Sequence, residues 1–343
     1  MKNRFLTILL AAVAVLSLPG CERLMEGAGD CKPVYKVRFT FTMNILGTDA
    51  FASKVGSVSL FVFDRQGRFV TMQSEAGEAL SEPGYLMTLD VPAGTYDLIA
   101  WCGLAGNPDF ALDNATAPQS KEDLVCRLLS ATAPAPVSDK ALAPVWHGMA
   151  ASVECPEEGD GDRIVATIDL TKDVNTVRVT LQHYTGRELD PEDFEFSIAD
   201  DNGFMDWDNS LLPCEKIGYS QWTRRPGTVS MPGGDAFSAD ITSISSVTAE
   251  LDVARLVKEG QAPVLTVRQD GAEKPLLRLP LIDLLLLAKG EARIEMDDQE
   301  YLDRQGEYNF IFFLDEADGW YRLYAKGGIW VNSWHLDEFH VDI

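Results

Sequence analysis

Alternation of apolar with polar residues recurs along this chain, and no other feature constrains its fold so tightly. Tyr35, Val37, Phe39 and Phe41 occupy one side of an extended segment, with Lys36, Arg38, Thr40 and Thr42 on the other. A period of two carried by aromatic and β-branched residues predicts a half-buried strand. Residues 55–63 predict a second strand. The turn Asp64-Arg65-Gln66-Gly67-Arg68 folds it back onto 69–72 as a hairpin, with Gly67 supplying a positive φ. Residues 85–91, 95–101, 146–149 and 164–170 predict further strands, and Pro92-Ala93-Gly94 a turn. One helix is predicted at 120–129, where Ser120 precedes Asp123 by three residues and Leu124, Val125, Leu128 and Leu129 make an apolar stripe. The stretch 131–144, rich in Ala and Pro, reads as irregular.

The pattern restarts after Thr171-Lys172-Asp173-Val174-Asn175, where Val177, Val179 and Leu181 alternate with Arg178, Thr180 and Gln182. Strands are predicted at 194–199, 247–256, 264–269 and 308–314, and the chain closes with extended segments at 329–336 and 339–343. The dense apolar run 281–288 is far shorter than the roughly 20 residues that cross a bilayer, so it reads as buried core. Many short strands with Gly and Pro turns predict an all-β chain built from β-sandwiches. The expected units are residues 34–171 and 172–343.

The amino terminus carries a different signal. Lys2 and Arg4 precede an apolar run from Phe5 to Leu16, and Leu18-Pro19-Gly20-Cys21 follows. A basic start, an apolar core and a small residue before the cut form a secretory signal. The cysteine directly after the small residue makes residues 1–20 resemble a bacterial lipoprotein signal peptide. That resemblance implies acylation of Cys21, which becomes the first mature residue and the tie to a membrane. The competing reading is an ordinary cleaved signal that leaves Cys21 a plain thiol. Residues 21–33, polar and glycine-bearing, read as a lipidated flexible spacer.

Composition narrows the partners. The net charge of −24 repels nucleic acid and anionic lipid, which argues against both as partners. With Cys21 acylated, Cys31, Cys102, Cys126, Cys155 and Cys214 remain, without C-x-x-C spacing or neighbouring histidine pairs, a pattern that offers no zinc site. Cys102 and Cys126 either pair or serve as small core thiols; spacing leaves both open. His147, His183, His335 and His340 are scattered, and neither a Gly-x-Ser-x-Gly elbow nor a phosphate loop occurs, so the chain carries no catalytic signature and implies no cofactor. The stretch from Asp200 to Asn209 looks like a calcium loop, but setting Gly203 at the sixth position places Ile198 where the first ligand oxygen belongs. An Asp- and Asn-rich turn between strands is the expectation.

Several segments together resemble the FimB-type fimbrial anchor lipoprotein family of Bacteroidales. They are Tyr35-Lys36-Val37-Arg38-Phe39, the run from Val58 to Asp64 with Gly67, and the run from Pro92 to Trp101. Further on come Leu170 to Asn175, Asp200-Asp201-Asn202-Gly203, and Gln299 to Gln305. The resemblance spans nearly all of the mature chain. It implies two tandem transthyretin-like β-sandwich domains and a structural, non-enzymatic role: tethering the base of a fimbria to the outer membrane, limiting its length, and meeting fimbrillin stalk subunits.

In such polymers an extended segment of one subunit completes a sheet of the next, with ladder hydrogen bonds supplying affinity and alternate side-chain pockets supplying specificity. Here Ile329, Val331 and Ser333 alternate with Trp330, Asn332 and Trp334, while Phe339, Val341 and Ile343 alternate with His340 and Asp342. This end is either the last strand folded in place or a contact to the neighbouring fimbrillin, with Ile329, Val331, Trp334, Phe339, Val341 and Ile343 as the candidate partner-binding residues. The rival function is a monomeric surface lipoprotein that captures glycan or host protein through loops such as 202–209, using Phe204 and Trp207.

Overall fold

The computed structural model of the protein describes residues 33–129, 137–230, 243–260, 262–317, 319–323, 329–331 and 334–336. The signal segment 1–20, Cys21 and 339–343 lie outside them.

The alternation becomes sheet. In chain order the first elements are β1 (Val34–Met43), the short helix α1 (Phe51–Lys54), β2 (Ser57–Asp64), β3 (Phe69–Ala76), β4 (Leu86–Leu89) and β5 (Gly94–Cys102). Three short strands follow, β6 (Phe110–Leu112), β7 (Cys126–Leu128) and β8 (Val137–Ser138), then the long β9 (Trp146–Cys155) and β10 (Asp162–Lys172). Seven of these make one sheet in the order β3-β2-β5-β9-β10-β1-β4. Its inner side chains, among them Val37, Phe39, Leu60, Val62, Leu98, Ile168 and Leu170, form one core.

The second half begins with β11 (Val174–His183), β12 (Phe194–Asp200), β13 (Phe204–Met205), β14 (Ile217–Ser220), β15 (Thr223–Ser230) and β16 (Ser243–Ala254). Next come β17 (Val264–Gln269), β18 (Leu277–Pro280), the helices α2 (Leu281–Glu291) and α3 (Asp298–Arg304), and β19 (Glu307–Ala317). The described chain ends with β20 (Trp320–Leu323), β21 (Ile329–Val331) and β22 (Trp334–Leu336). One sheet runs β15-β16-β11-β19-β21-β22, with β20 also on β19, and a second runs β18-β17-β12-β14-β8. Their facing side chains, such as Val177, Leu251, Phe310, Phe196 and Leu265, make a larger core roofed by Leu284 and Leu285 of α2.

That core continues into the first half. Phe61, Phe63, Ile99 and Trp101 point away from the first core and join Phe110, Leu124, Cys126 and Leu128 in the second. β2 and β5 are therefore covered on both faces, which is why residues 58–63 and 98–102 read as near-continuous apolar runs rather than clean alternation. The small sheet β13-β7-β6 and the β14–β8 pair also join the halves through hydrogen bonds.

Two expectations are corrected. Residues 120–129 form a 3-10 turn at Lys121–Asp123 followed by β7 rather than a helix. The backbone of Cys126 and Arg127 pairs with Leu112 and Ala111 on one side and with Met205 and Phe204 on the other. A ladder on both sides satisfies more backbone than an isolated ten-residue helix, which is marginal in water. Ile329–Val331 and Trp334–Leu336 are two antiparallel strands paired with each other, not one extended segment, since Val331 pairs with Trp334 and Ile329 with Leu336. The run 281–288 takes the form of a helix that buries Leu281, Ile282, Leu284, Leu285 and Ala288 as expected, while Leu287 is exposed. Among the described residues Cys102, Cys126 and Cys155 are buried free thiols and Cys214 a half-buried one.

Candidate functional site

β10 ends at Lys172 and β11 begins at Val174, so Asp173 alone makes the passage between the two large sheets. Its backbone N–H donates to the Val145 carbonyl at 2.9 Å. Its carboxylate is wholly buried, and Oδ1 accepts from Asn209 Nδ2 at 2.8 Å and Arg255 Nη1 at 3.0 Å. Arg255, just past the end of β16, donates its other arm to Asp303 of α3 at 2.9 Å. Gln299 Nε2, one turn earlier on α3, bonds Asp303 Oδ1 and the Leu256 carbonyl. Asn202 Nδ2 donates to the Arg255 carbonyl while its Oδ1 accepts from the Tyr219 hydroxyl at 2.6 Å. The neighbouring Arg304 reaches across to the Thr42 carbonyl, beside the end of β1, at 2.8 Å.

One guanidinium thus holds two carboxylates at the waist of the molecule. Burial pushes the Asp173 carboxyl up to about 6, against the pull of Arg255. Asp303 is likewise raised by burial, again opposed by Arg255. Burial also disfavours the charge on Arg255, but the two carboxylates together outweigh it and hold its pKa above the ordinary value. Asp173, at the centre of this group, is wholly enclosed. Its chemistry is that of a clamp: removing one partner leaves an uncompensated buried charge.

The acidic loop after β12 is drawn into this clamp. Asp200, Asn202 and Asn209 are buried, and Asn209 takes a left-handed φ of 68° that aims its amide at Asp173. The ring of Trp207 carries the Lys121 ammonium 4.0 Å above it, and Phe204 lies under the Arg127 guanidinium. Trp207 also packs on the larger core, and its carbonyl is bonded to His147 Nε2. The two aromatics expected to offer a sugar platform are thus stacked against the protein's own cations. Among the described residues no three His, Cys, Asp or Glu side chains gather as a metal site requires.

Of the residues singled out at the carboxyl end, Ile329 and Val331 are buried in β21, opposite Phe312 and Phe310 of β19. Trp334 belongs to β22, which among the described residues is the outermost strand on that side; β15 is outermost on the other. Cys21, Phe339, Val341 and Ile343 lie outside the described residues.

β1 and β10 run parallel from the Val34–Asp162 pair to the Met43–Thr171 pair. At about 3.3 Å per residue the ladder is about 30 Å long. Pro33 therefore enters at one end, and the passage through Asp173 into β11 leaves at the other.

The sequence singled out 170–175, 200–203 and 299–305 without a role for any of them. The one local hint is an acid, Asp173, set between two strands in an otherwise continuous β run; nothing nearby in the sequence points to its partners Asn209 and Arg255.

The family described as fimbrillin-A associated anchor proteins Mfa1 and Mfa2 matches residues 28–338. A candidate adhesin from Bacteroides thetaiotaomicron is similar in structure, with a TM-score of 0.74, 28% identity, and coverage of 90% of this chain and 98% of that one. A candidate polysaccharide-binding protein from the same organism gives 0.72, 27%, 90% and 99%. The fimbrial anchor protein Mfa2 from Porphyromonas gingivalis shares the fold at 0.63 and 16% identity, over 90% of this chain and all of that one. No curated protein matches the sequence.

Proposed function

Because the chain belongs to the family of fimbrillin-A associated anchor proteins, a class of structural rather than catalytic proteins, we propose that it is the membrane-proximal anchor of a fimbria. In this proposal residues 1–20 are removed, Cys21 carries acyl chains in the outer membrane, and 21–33 give reach. Units 34–171 and 172–343 then stand in line between membrane and filament. The net charge of −24 gives no attraction to an anionic surface, so attachment rests on the acyl chains, each worth about 0.8 kcal/mol per buried CH₂.

The observation that carries the reading is the polarity of the β1–β10 ladder. The tether enters beside Val34, and the second half departs from the far end of β10. This direction supports the reading that a lipid at Cys21 holds the first half nearer the membrane and leaves the second half, with the β21–β22 edge, for the filament. There we propose contact with fimbrillin stalk subunits by β-augmentation. β22 supplies the open edge, and Trp334 with Phe339, Val341 and Ile343 supplies the side chains, whereas Ile329 and Val331 hold β21 in the core beneath. A subunit fixed at its base also limits filament growth.

The test is Cys21→Ser in cells, followed by membrane fractionation, mass spectrometry of the mature amino terminus and measurement of fimbrial length. The expected result is loss of the acyl mass, release of fimbriae into the medium and altered length. Fimbriae of ordinary length still attached in that variant would refute the proposal.

A further inference from the structure

A groove of about 570 Å³ lies where the loop after β1 faces the α3–β19 turn. Its apolar lining is Phe41, Met43, Ile45, Leu46 and Trp146; its polar lining includes Lys54, Lys172, Arg304, Glu307 and Asp303, the last already paired with Arg255. This volume falls in the range of about 300–1,000 Å³ that receives a small ligand or a few residues of peptide, not a globular partner.

Two features mark it as more than a crevice. Leu46 is 80% exposed and Ile45 46% exposed, side by side, on a loop that is firmly held. Asn44 Nδ2 donates to the Phe41 and Thr48 carbonyls, Leu46 N–H donates to Asn44 Oδ1, and Gly47 (φ 62°) closes the turn. Arg304 fixes the loop's base through the Thr42 carbonyl. Two large aliphatic side chains are thus displayed by a rigid frame.

The second feature is charge. In a chain of net charge −24, Lys54 and Lys172 face this groove and form no ion pair among the described residues, while Arg304 is taken by Glu300. Burial lowers the Lys172 pKa, with Asp252 and Glu307 acting against it and Lys54 adding to it, so the two ammonium groups lie within each other's field. The indole Nε1 of Trp146, buried and without a hydrogen-bond partner, belongs to the same lining.

We propose that this groove receives an extended acidic peptide segment of another protein. Its aliphatic side chains lie on Met43, Ile45 and Leu46, and its carboxylates on Lys54 and Lys172. The wall favours a peptide over a sugar, because Trp146 and Phe41 are 3% and 7% exposed and present no open ring face for stacking. The match is by side chains rather than strand addition. The backbone of β1 here is already engaged, Phe41 N–H on Asp49 Oδ1 and the Phe41 carbonyl on Ala50 N–H. The proposal is independent of the fimbrial reading, and loss of lipid at Cys21 leaves the groove unchanged.

The experiment is fluorescence anisotropy with the mature chain and a labelled, end-capped Leu-Glu-Val-Glu-Leu peptide, beside its Leu-Lys-Val-Lys-Leu counterpart. The acidic peptide should bind saturably with Kd below about 1 mM and the basic one should not. Leu46→Ser and Lys54→Glu change exposed side chains without touching a core, and each should weaken binding about tenfold or more. Equal binding of both peptides, no saturation up to about 1 mM, or titrations unchanged in both variants would overturn the proposal. So would displacement of the peptide by a uronic acid, or a dimer of the chain abolished by Leu46→Ser, since each assigns the groove to a different occupant.

Discussion

Replacing Arg255 by Met tests the clamp directly. The change keeps much of the side-chain volume but leaves Asp173 and Asp303 facing each other without a cation. Asp173 is wholly buried and Arg255 is 11% exposed, so little solvent is at hand to take up the charge. Removing one partner of such a pair costs about 3–5 kcal/mol. The pH dependence separates this cause from simple loss of packing. A carboxyl raised in the folded state binds its proton more tightly there than in the unfolded chain. The stability it contributes is full below the unfolded pKa and is lost as pH rises through the folded one. For Asp173 that window runs from 3.8 to about 6 with Arg255 present, and without Arg255 its upper edge moves higher. Urea unfolding followed by the fluorescence of Trp101 and Trp146, both buried, should therefore show a smaller penalty at pH 5 than at pH 8. The difference should be at least about 1.4 kcal/mol, the equivalent of one pKa unit. The double variant Asp173→Asn/Arg255→Met should recover at least half of the loss at pH 8. A penalty under about 1 kcal/mol at both pH values, or one that ignores pH, would refute the clamp as the source of stability.

Asp200, pushed up to about 7 mainly by burial, loses its stabilising protonated form as pH rises from 3.8 through 7. Asp200→Asn should thus gain on the wild type across that range, by up to about 4 kcal/mol, in thermal melts, and a flat difference would contradict it. His147, held down to about 4 by burial, acts in the opposite sense, so wild-type stability should climb from its share of the titration between 4 and 6.5; the variant comparison cancels that share. Val331→Ala should lower stability by roughly 2 kcal/mol because β21 is folded into the core, and an unchanged urea midpoint would show that it is not. In Gly148→Ala a new Cβ would stand 2.6 Å from Ile168 Cγ2 and 2.9 Å from the Asp169 carbonyl, costing about 1–3 kcal/mol; an unaltered melting temperature would exclude that crowding.

What the sequence made legible was whatever depends on near neighbours. The strand at 264–269 coincides with β17, and 194–199 falls one residue short of β12. Both rest on period-two alternation, which a few adjacent residues encode. The helix expected at 120–129 failed because its apolar spacing suits either period, and the decision was made by Phe204 and Met205, far along the chain. The clamp was out of reach for the same reason. Asp173 meets Asn209 at a separation of 36 residues and Arg255 at 82, and Arg255 meets Asp303 at 48. No local pattern links them. The alternation over 329–336 reads as one extended segment, but Val331 pairs with Trp334 and Ile329 with Leu336, so 329–331 and 334–336 are two paired strands, a contact that period two alone does not encode.

The arrangement of β1 and β10 bears on how an anchor withstands force. In the proposed orientation the membrane pulls on β1 at Val34, and the filament pulls on β10 at Lys172, the opposite end of its parallel neighbour. The two strands are then drawn past each other along their length. The hydrogen bonds between them, from Val34–Asp162 to Met43–Thr171, are loaded together instead of opening one after another from an end. The covalent path of that pull into the second half runs through Asp173, beside the shared core and the β13–β7 and β14–β8 pairings, and a single linking residue is a weak point unless it is braced. Its brace is the Arg255 pair, the Asn209 amide and the Val145 carbonyl, which tie that residue to β16, to the loop after β13 and to the segment before β9. The buried charge that makes the waist costly to desolvate also makes it costly to pull apart, because separating the pair leaves two ions in a medium that cannot hydrate them. A well-packed apolar residue at 173 would serve stability as well, but it would not resist separation through so many directed bonds.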